Sequence, residues 1–168
     1  MVVTDANGCI ETASGEVNQP TLLTTSVSST DVSCSSGADG GATVTPDGGT
    51  LAYGYSWDNG SITSGTGAVG SGTYLVTVTD GNGCVAIDSA TITEPTPLEV
   101  SFTSTDVDCN GNLTGEAAAI VSGGTMPYSY AWDNGDTDSL NANIGAGTYT
   151  LTVTDGQGCV IIESITIE

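Results

Sequence analysis

Between Thr73 and Thr79 the chain alternates: Tyr74, Val76 and Val78 fall in one phase, Thr77 and Thr79 in the other. Thr148 to Thr154 repeats the pattern with Tyr149, Leu151 and Val153. A period of two carried by β-branched and aromatic residues predicts half-buried strands whose threonine face is wet, and no segment shows a helical stripe. After the cysteine that follows each strand the phase slips. Val85 and Ile87 lie in one phase but Ala90 and Ile92 in the other, and Val160 and Ile162 stand in the same relation to Ile165 and Ile167. A β-bulge near Asp88 and Glu163 would account for both slips. Further strands are expected at Leu22 to Ser28, Ala42 to Thr45 and Ala52 to Trp57, with counterparts 75 residues on and Gly, Asn and Asp clusters between them. Six or seven short strands in each 75 residues predict an all-β chain of tandem Ig-like β-sandwich modules.

The same spacing organises everything else. Cys9, Cys84 and Cys159 are 75 residues apart, as are Cys34 and Cys109, Trp57 and Trp132, and the GTY triplets at Gly72 and Gly147. TDANGC at Thr4, TDGNGC at Thr79 and TDGQGC at Thr154 keep this register without a gap. Pro20 and Pro95 stand at the expected junctions, where a proline removes a ladder donor and stiffens the connection. The expected organisation is therefore 1–20 as the C-terminal end of a preceding module, 21–95 as one sandwich repeat and 96–168 as a second, each with its own core. The G-x-G-x-Y run at Gly70 to Tyr74 and the related run at Gly145 to Tyr149 suggest tyrosine corners.

Composition narrows the function. With 20 acidic residues and no Lys, Arg or His, the net charge is −20. Nucleic acid and anionic membranes are repelled, and no cation is present to contact a phosphate. An imidazole base, a Schiff-base amine and a histidine metal ligand are equally missing, so an enzyme is not expected. No apolar stretch approaches the roughly 18 residues of a membrane helix, and Met1 to Cys9 does not read as a basic leader, so no membrane insertion is expected.

Five cysteines in a lysine-free β-protein point to an oxidising compartment, and without a C-x-x-C or a His they do not suggest zinc. One pairing joins Cys34 to Cys84 and Cys109 to Cys159, leaving Cys9 for a preceding module. The other joins Cys9 to Cys34 and Cys84 to Cys109. The first is preferred because each bond would close a 50-residue loop inside a proline-bounded module, a contribution of roughly 4 kcal/mol. The alternative to both is five reduced core thiols. Lysine-to-asparagine isopeptide braces are impossible, and trypsin-like proteases find no cleavage site.

A candidate metal site is Asp133, Asp136 and Asp138 in the run DNGDTD, since oxygen ligands around a glycine turn suit calcium. A hairpin turn is the plainer reading, because the counterpart DNGSIT at Asp58 lacks two of the carboxylates. Asp5, Asp80 and Asp155 are expected to cap their own turns. No cofactor is expected beyond weak, diffuse calcium association. Asn59 and Asn112 stand in N-x-S/T sequons, and Ser89 and Ser139, in the triplets DSA and DSL, are candidate O-glycosylation sites.

The string from Cys109 through Ser122 to Thr125, Tyr128 to Trp132, Asn134 to Gly135 and Gly147 to Cys159 resembles the SprB-type repeats of gliding-motility adhesins, large surface proteins exported by type IX secretion. Module one departs from the pattern at Thr50 to Gly54, which replaces the usual Pro-Tyr approach to the tryptophan strand. The DSA and DSL triplets resemble an O-glycosylation motif of the same bacterial group. The resemblance implies structural or adhesive repeats of an extracellular, cell-surface filament. Its partners would be neighbouring modules of the same protein, self-assembled copies, or an extracellular substratum or glycan. The alternative is a calcium-dependent or glycan-binding sandwich with a defined pocket.

Overall fold

The alternating segments become strands in a computed structural model, which describes residues 1–109 and 111–168 and, among them, contains strands and turns but no helix. After a short hairpin of β1 (Val2–Thr4) and β2 (Ile10–Thr12), the chain forms β3 (Thr24–Thr30), β4 (Gly41–Asp47), β5 (Gly54–Trp57), β6 (Gly72–Thr79) and β7 (Val85–Ile92). The second set is β8 (Glu99–Thr105), β9 (Gly115–Ser122), β10 (Ser129–Trp132), β11 (Leu140–Ile144), β12 (Gly147–Thr154) and β13 (Val160–Ile167).

In the second set, the antiparallel sheets run in the orders β8-β9-β11 and β10-β12-β13. These are the A-B-E and C-F-G orders of an immunoglobulin sandwich. The first set repeats them as β3-β4 and β5-β6-β7, with isolated bridges from Gly65 to Thr43 and from Val69 to Gly40 where β11 would lie. The Ig-like expectation therefore holds in the strand order itself. Trp57 and Trp132 occupy the strand-C position and are buried, and each indole N–H donates to a backbone carbonyl, of Thr63 at 3.1 Å and Asp138 at 3.0 Å. The phenol hydroxyls of Tyr74 and Tyr149 donate to the Gly70 and Gly145 carbonyls, both at 3.0 Å, so both tyrosine corners are formed.

Each set closes over its own core. Val44, Trp57, Val76, Val78 and Ile92 are central to one, and Ala117, Trp132, Leu151, Val153 and Ile167 to the other. The predicted bulges are absent. β7 pairs with β6, and β13 with β12, in unbroken register through Asp88 and Glu163. Each last strand turns two apolar residues outward instead: Val85 and Ile87 stand opposite Thr79 and Thr77, Val160 and Ile162 opposite Thr154 and Thr152, and all four are exposed. A register shift does occur in β11, between Ala142 and Ile144, where Asn143 has φ +57°. Peptide bonds Leu51–Ala52 and Met126–Pro127, at equivalent positions, are both cis.

Candidate functional site

The ends of the modules carry the polar and cysteine chemistry. At one end the TDxxGC turn is built around an aspartate. One carboxylate oxygen of Asp80 accepts from the Asn82 and Cys84 N–H groups at 2.9 and 2.8 Å, and the other accepts from Thr50 N–H at 2.9 Å. Asp155 does the same with Gln157, Cys159 and Thr125, and Asp5 caps Asn7 and Cys9 in the first hairpin. Both Asp80 and Asp155 are buried, so these N–H groups replace lost water. The Thr50 N–H, opposed by burial, holds Asp80 below the usual carboxylate range. For Asp155 burial pushes upward, but the N–H groups of Thr125, Cys159 and Gln157 outweigh it and its pKa is also lowered.

Reaching Thr50 and Thr125 requires a tight turn just before them. Gly49 and Gly124, at φ +64° and +58°, allow it: a Cβ on either would lie 2.8 Å from the aspartate Oδ2. Sequence reasoning missed this cross-link, although the paired glycines before Thr50 and Thr125 were its visible signal.

The opposite end is set by β3 and β7, whose edges meet. Ser29 Oγ donates to Thr91 O at 3.4 Å, and Val32 N–H donates to Thr93 O at 2.9 Å. The loop from Asp31 to Gly40 therefore lies beyond the C-terminal end of β7. Thr93 N–H donates to Asp31 Oδ1 at 2.7 Å and Ser36 N–H to Glu94 Oε2 at 2.5 Å. Ser33 is clamped to Asp39 through both its N–H, at 3.1 Å, and its hydroxyl.

This geometry overturns the expected disulfides. Cys84 precedes β7 and Cys34 lies past its far end, so roughly 25 Å of strand, at about 3.3 Å per residue, separates them. A disulfide needs Cα atoms within about 7 Å. Cys34 is instead bonded to Cys159, with Cα atoms 5.7 Å apart and a separation of 125 in sequence. Neither the Cys34–Cys84 and Cys109–Cys159 pairing nor the Cys9–Cys34 and Cys84–Cys109 pairing is present. Cys9, Cys84 and Cys109 are exposed free thiols. The bond joins the far end of the first sandwich to the near end of the second. Around it Cys34 to Ser36 face Pro97, Leu98, Val160 and Ile161 across an open groove of about 400 Å³.

The other predicted sites remain separate. Asp133, Asp136 and Asp138 do not converge: Asp133 Oδ2 accepts from Thr150 N–H at 3.0 Å, Asp136 Oδ1 accepts from Asp138 N–H at 2.9 Å, and Asp138 is exposed. Among the described residues no group of three acidic or cysteine side chains could hold a metal ion. The run is a turn that carries the chain from β10 to β11, which lie in different sheets, so the expected hairpin is not formed. Ser89 and Ser139 are exposed. The Asn59 and Asn112 side chains are also exposed, but their amides donate to Thr66 O at 3.0 Å and Asp108 Oδ1 at 2.8 Å.

Comparison with known proteins finds a family model that matches two stretches of the chain. The model of the SprB repeat matches residues 26–62 and 101–137, each running from the first strand of a sandwich past its tryptophan. Comparison with curated proteins finds no match. Among solved structures, the amphioxus IgVJ-C2 molecule is similar at 14% identity, with a TM-score of 0.34, over 71% of this chain and 89% of that one. The assignment of the sandwich rests on strand order and on the positions of Trp and Tyr, not on that likeness.

Proposed function

We propose, from the match of residues 26–62 and 101–137 to the SprB repeat, that the chain is a structural and adhesive segment of an extracellular cell-surface filament of the gliding-motility adhesin kind. The SprB repeat and the Ig-like sandwich are structural rather than enzymatic domain types, which fits a chain without Lys, Arg or His. The observation that carries the reading is the Cys34–Cys159 bond. A bond inside a module stabilises that module. A bond between modules also fixes the angle between them, which is what a stalk requires. An oxidising compartment is needed to form it, in keeping with the outside of the cell. The absence of lysine and arginine adds resistance to trypsin-like proteases.

Small-angle scattering of the oxidised and the reduced chain tests this reading. An elongated two-module particle with a narrow size distribution is expected when oxidised, and a broader one after reduction. Equal breadth in both states would remove the support for a stiff stalk. Calorimetry with calcium and with EDTA should give matching melting temperatures. A large stoichiometric rise with calcium would replace the structural reading with a calcium-dependent one.

A further inference from the structure

We infer that Cys84 and Cys109 are the two open halves of a second joint of the Cys34–Cys159 type, so that a further module of this repeat, carried by a second copy of the chain, bonds end to end with the first. In repeat register Cys84 is the counterpart of Cys159, and Cys109 that of Cys34. Both thiols are exposed and free.

The surroundings match as well as the positions. In the formed joint, Pro97, Leu98, Cys159 and Val160 line an open groove together with Cys34 to Ser36. Their counterparts Leu22, Leu23, Cys84 and Val85 line a cleft of about 150 Å³, completed by Gln19 to Thr21 and Asp80 instead of a cysteine-bearing loop. Leu22 is 82% exposed, and Val85, at 56%, is as open as Val160 is in the formed joint, at 57%. Module one thus presents the receiving half of a joint, with Leu22 open to solvent beside the free Cys84.

Module two presents the entering half. Asn112 N–H donates to Cys109 O at 3.0 Å, as Gly37 N–H donates to Cys34 O at 2.9 Å. The clamp at the loop base is kept with its chemistry exchanged. Where Ser33 N–H donates to the Asp39 carboxylate, Asp108 N–H donates to Thr114 Oγ1 at 3.0 Å, and that hydroxyl donates back to Asp108 Oδ1 at 2.9 Å. A hydroxyl and a carboxylate have traded places across the loop, and the cysteine is presented in the same way. Cys9 has no such setting, because its hairpin belongs to neither core.

Bond formation is a two-electron oxidation. The thiols of Cys84 and Cys109 lose two protons and two electrons, and a small disulfide oxidant such as oxidised glutathione takes them up and leaves as two thiols. The inference rests on the Cys34–Cys159 pairing and not on the adhesive role.

The test uses the full chain carrying Cys9→Ser, divided into two variants, C84S and C109S, mixed in equal amounts with oxidised glutathione. Non-reducing electrophoresis and peptide mass mapping then count the products. The Cys84–Cys109 heterodimer is expected to exceed either homodimer by about tenfold or more, the ratio given by a docking preference of about 1.4 kcal/mol, against a roughly twofold excess for random pairing. Random ratios, or glutathione adducts without cross-links while Cys34–Cys159 is intact, would overturn the inference. The same maps report the Cys34–Cys159 peptide separately. A Cys34–Cys84 peptide in the undivided chain would overturn the pairing on which the inference stands.

Discussion

The two sandwiches share a register to the residue, yet their third edges differ. In module two, β11 runs beside β9 over Leu140 to Ile144. In module one the same place is held by a glycine-flanked threonine: Ala42 N–H donates to Thr66 Oγ1 at 2.9 Å, the hydroxyl donates to Gly67 O at 2.8 Å, and only isolated bridges remain. At the counterpart of Thr66, module two has Asn141, fully buried, whose Oδ1 accepts from Asn134 at 2.9 Å but whose Nδ2 has no partner. The cores differ as well. Phe102 packs on Trp132 with ring centroids 5.7 Å apart, where module one has Val27. One fold tolerates a strand or a hydroxyl at this edge, provided the buried N–H of the neighbouring strand is met. A fuller strand and a larger aromatic core thus come with one unsatisfied amide.

The largest expected effect treats the modules alike. If one module unfolds while the other stays folded, the Cys34–Cys159 bond closes a loop of about 60 residues through the unfolded one, whichever it is, worth roughly 4 kcal/mol. Reduction should therefore lower both melting transitions by similar amounts in calorimetry, and a drop confined to one would show that the bond braces that module alone. Next comes Trp132→Ala, expected to cost about 3–5 kcal/mol in module two only. Denaturant unfolding followed by Trp57 fluorescence should leave the module-one midpoint in place, and a shared loss would mean that the two cores unfold as one.

The aspartate turns give a smaller, pH-dependent contrast. Both Asp80 and Asp155 have folded pKa values below the ordinary 3.8, so their stabilisation is complete above that value and disappears as pH falls through the lowered one. Asp80→Asn keeps one acceptor oxygen but loses the bond from Thr50, and should lower the module-one melting temperature at neutral pH. The difference from the parent should shrink below about pH 4, when the parent loses its carboxylate as well. A gap that persists in acid would assign the effect to packing. The smallest effect changes sign between modules. Asn141→Thr should stabilise module two by about 1 kcal/mol by removing the stranded amide, and Thr66→Asn should destabilise module one by a similar amount. Equal signs in thermal melts would refute the account of the edge.

Much of this fold was legible in the sequence because its signals are local. Alternation at Tyr74 to Val78, the tyrosine two residues after a glycine, and the tryptophan before Asp-Asn-Gly each depend on a few neighbouring residues. The disulfide was not legible there, because neither proximity in sequence nor a proline boundary implies proximity in space. Strand direction held the answer: Cys34 follows the upper end of one strand and Cys84 precedes the lower end of another running the same way, so the two thiols stand at opposite poles. The expected bulges failed for another reason. Val85 and Ile87 break the buried phase because they face outward, and a hydrophobic pattern alone cannot tell an extra residue from an apolar surface. In the candidate calcium run Asp133 and Asp136 accept from backbone N–H groups, a use that composition does not distinguish from ligation.

The cross-module bond also decides how the chain would bear a pull. Tension applied at the two ends enters through the residues before Cys34, crosses one sulfur bridge, and leaves through the residues after Cys159. The 125-residue path between the two cysteines carries none of it while the bridge holds. Roughly 400 Å of contour, at about 3.4 Å per residue, stays hidden until reduction releases it. A force-extension trace of the oxidised chain should lack that length, and the reduced chain should yield it.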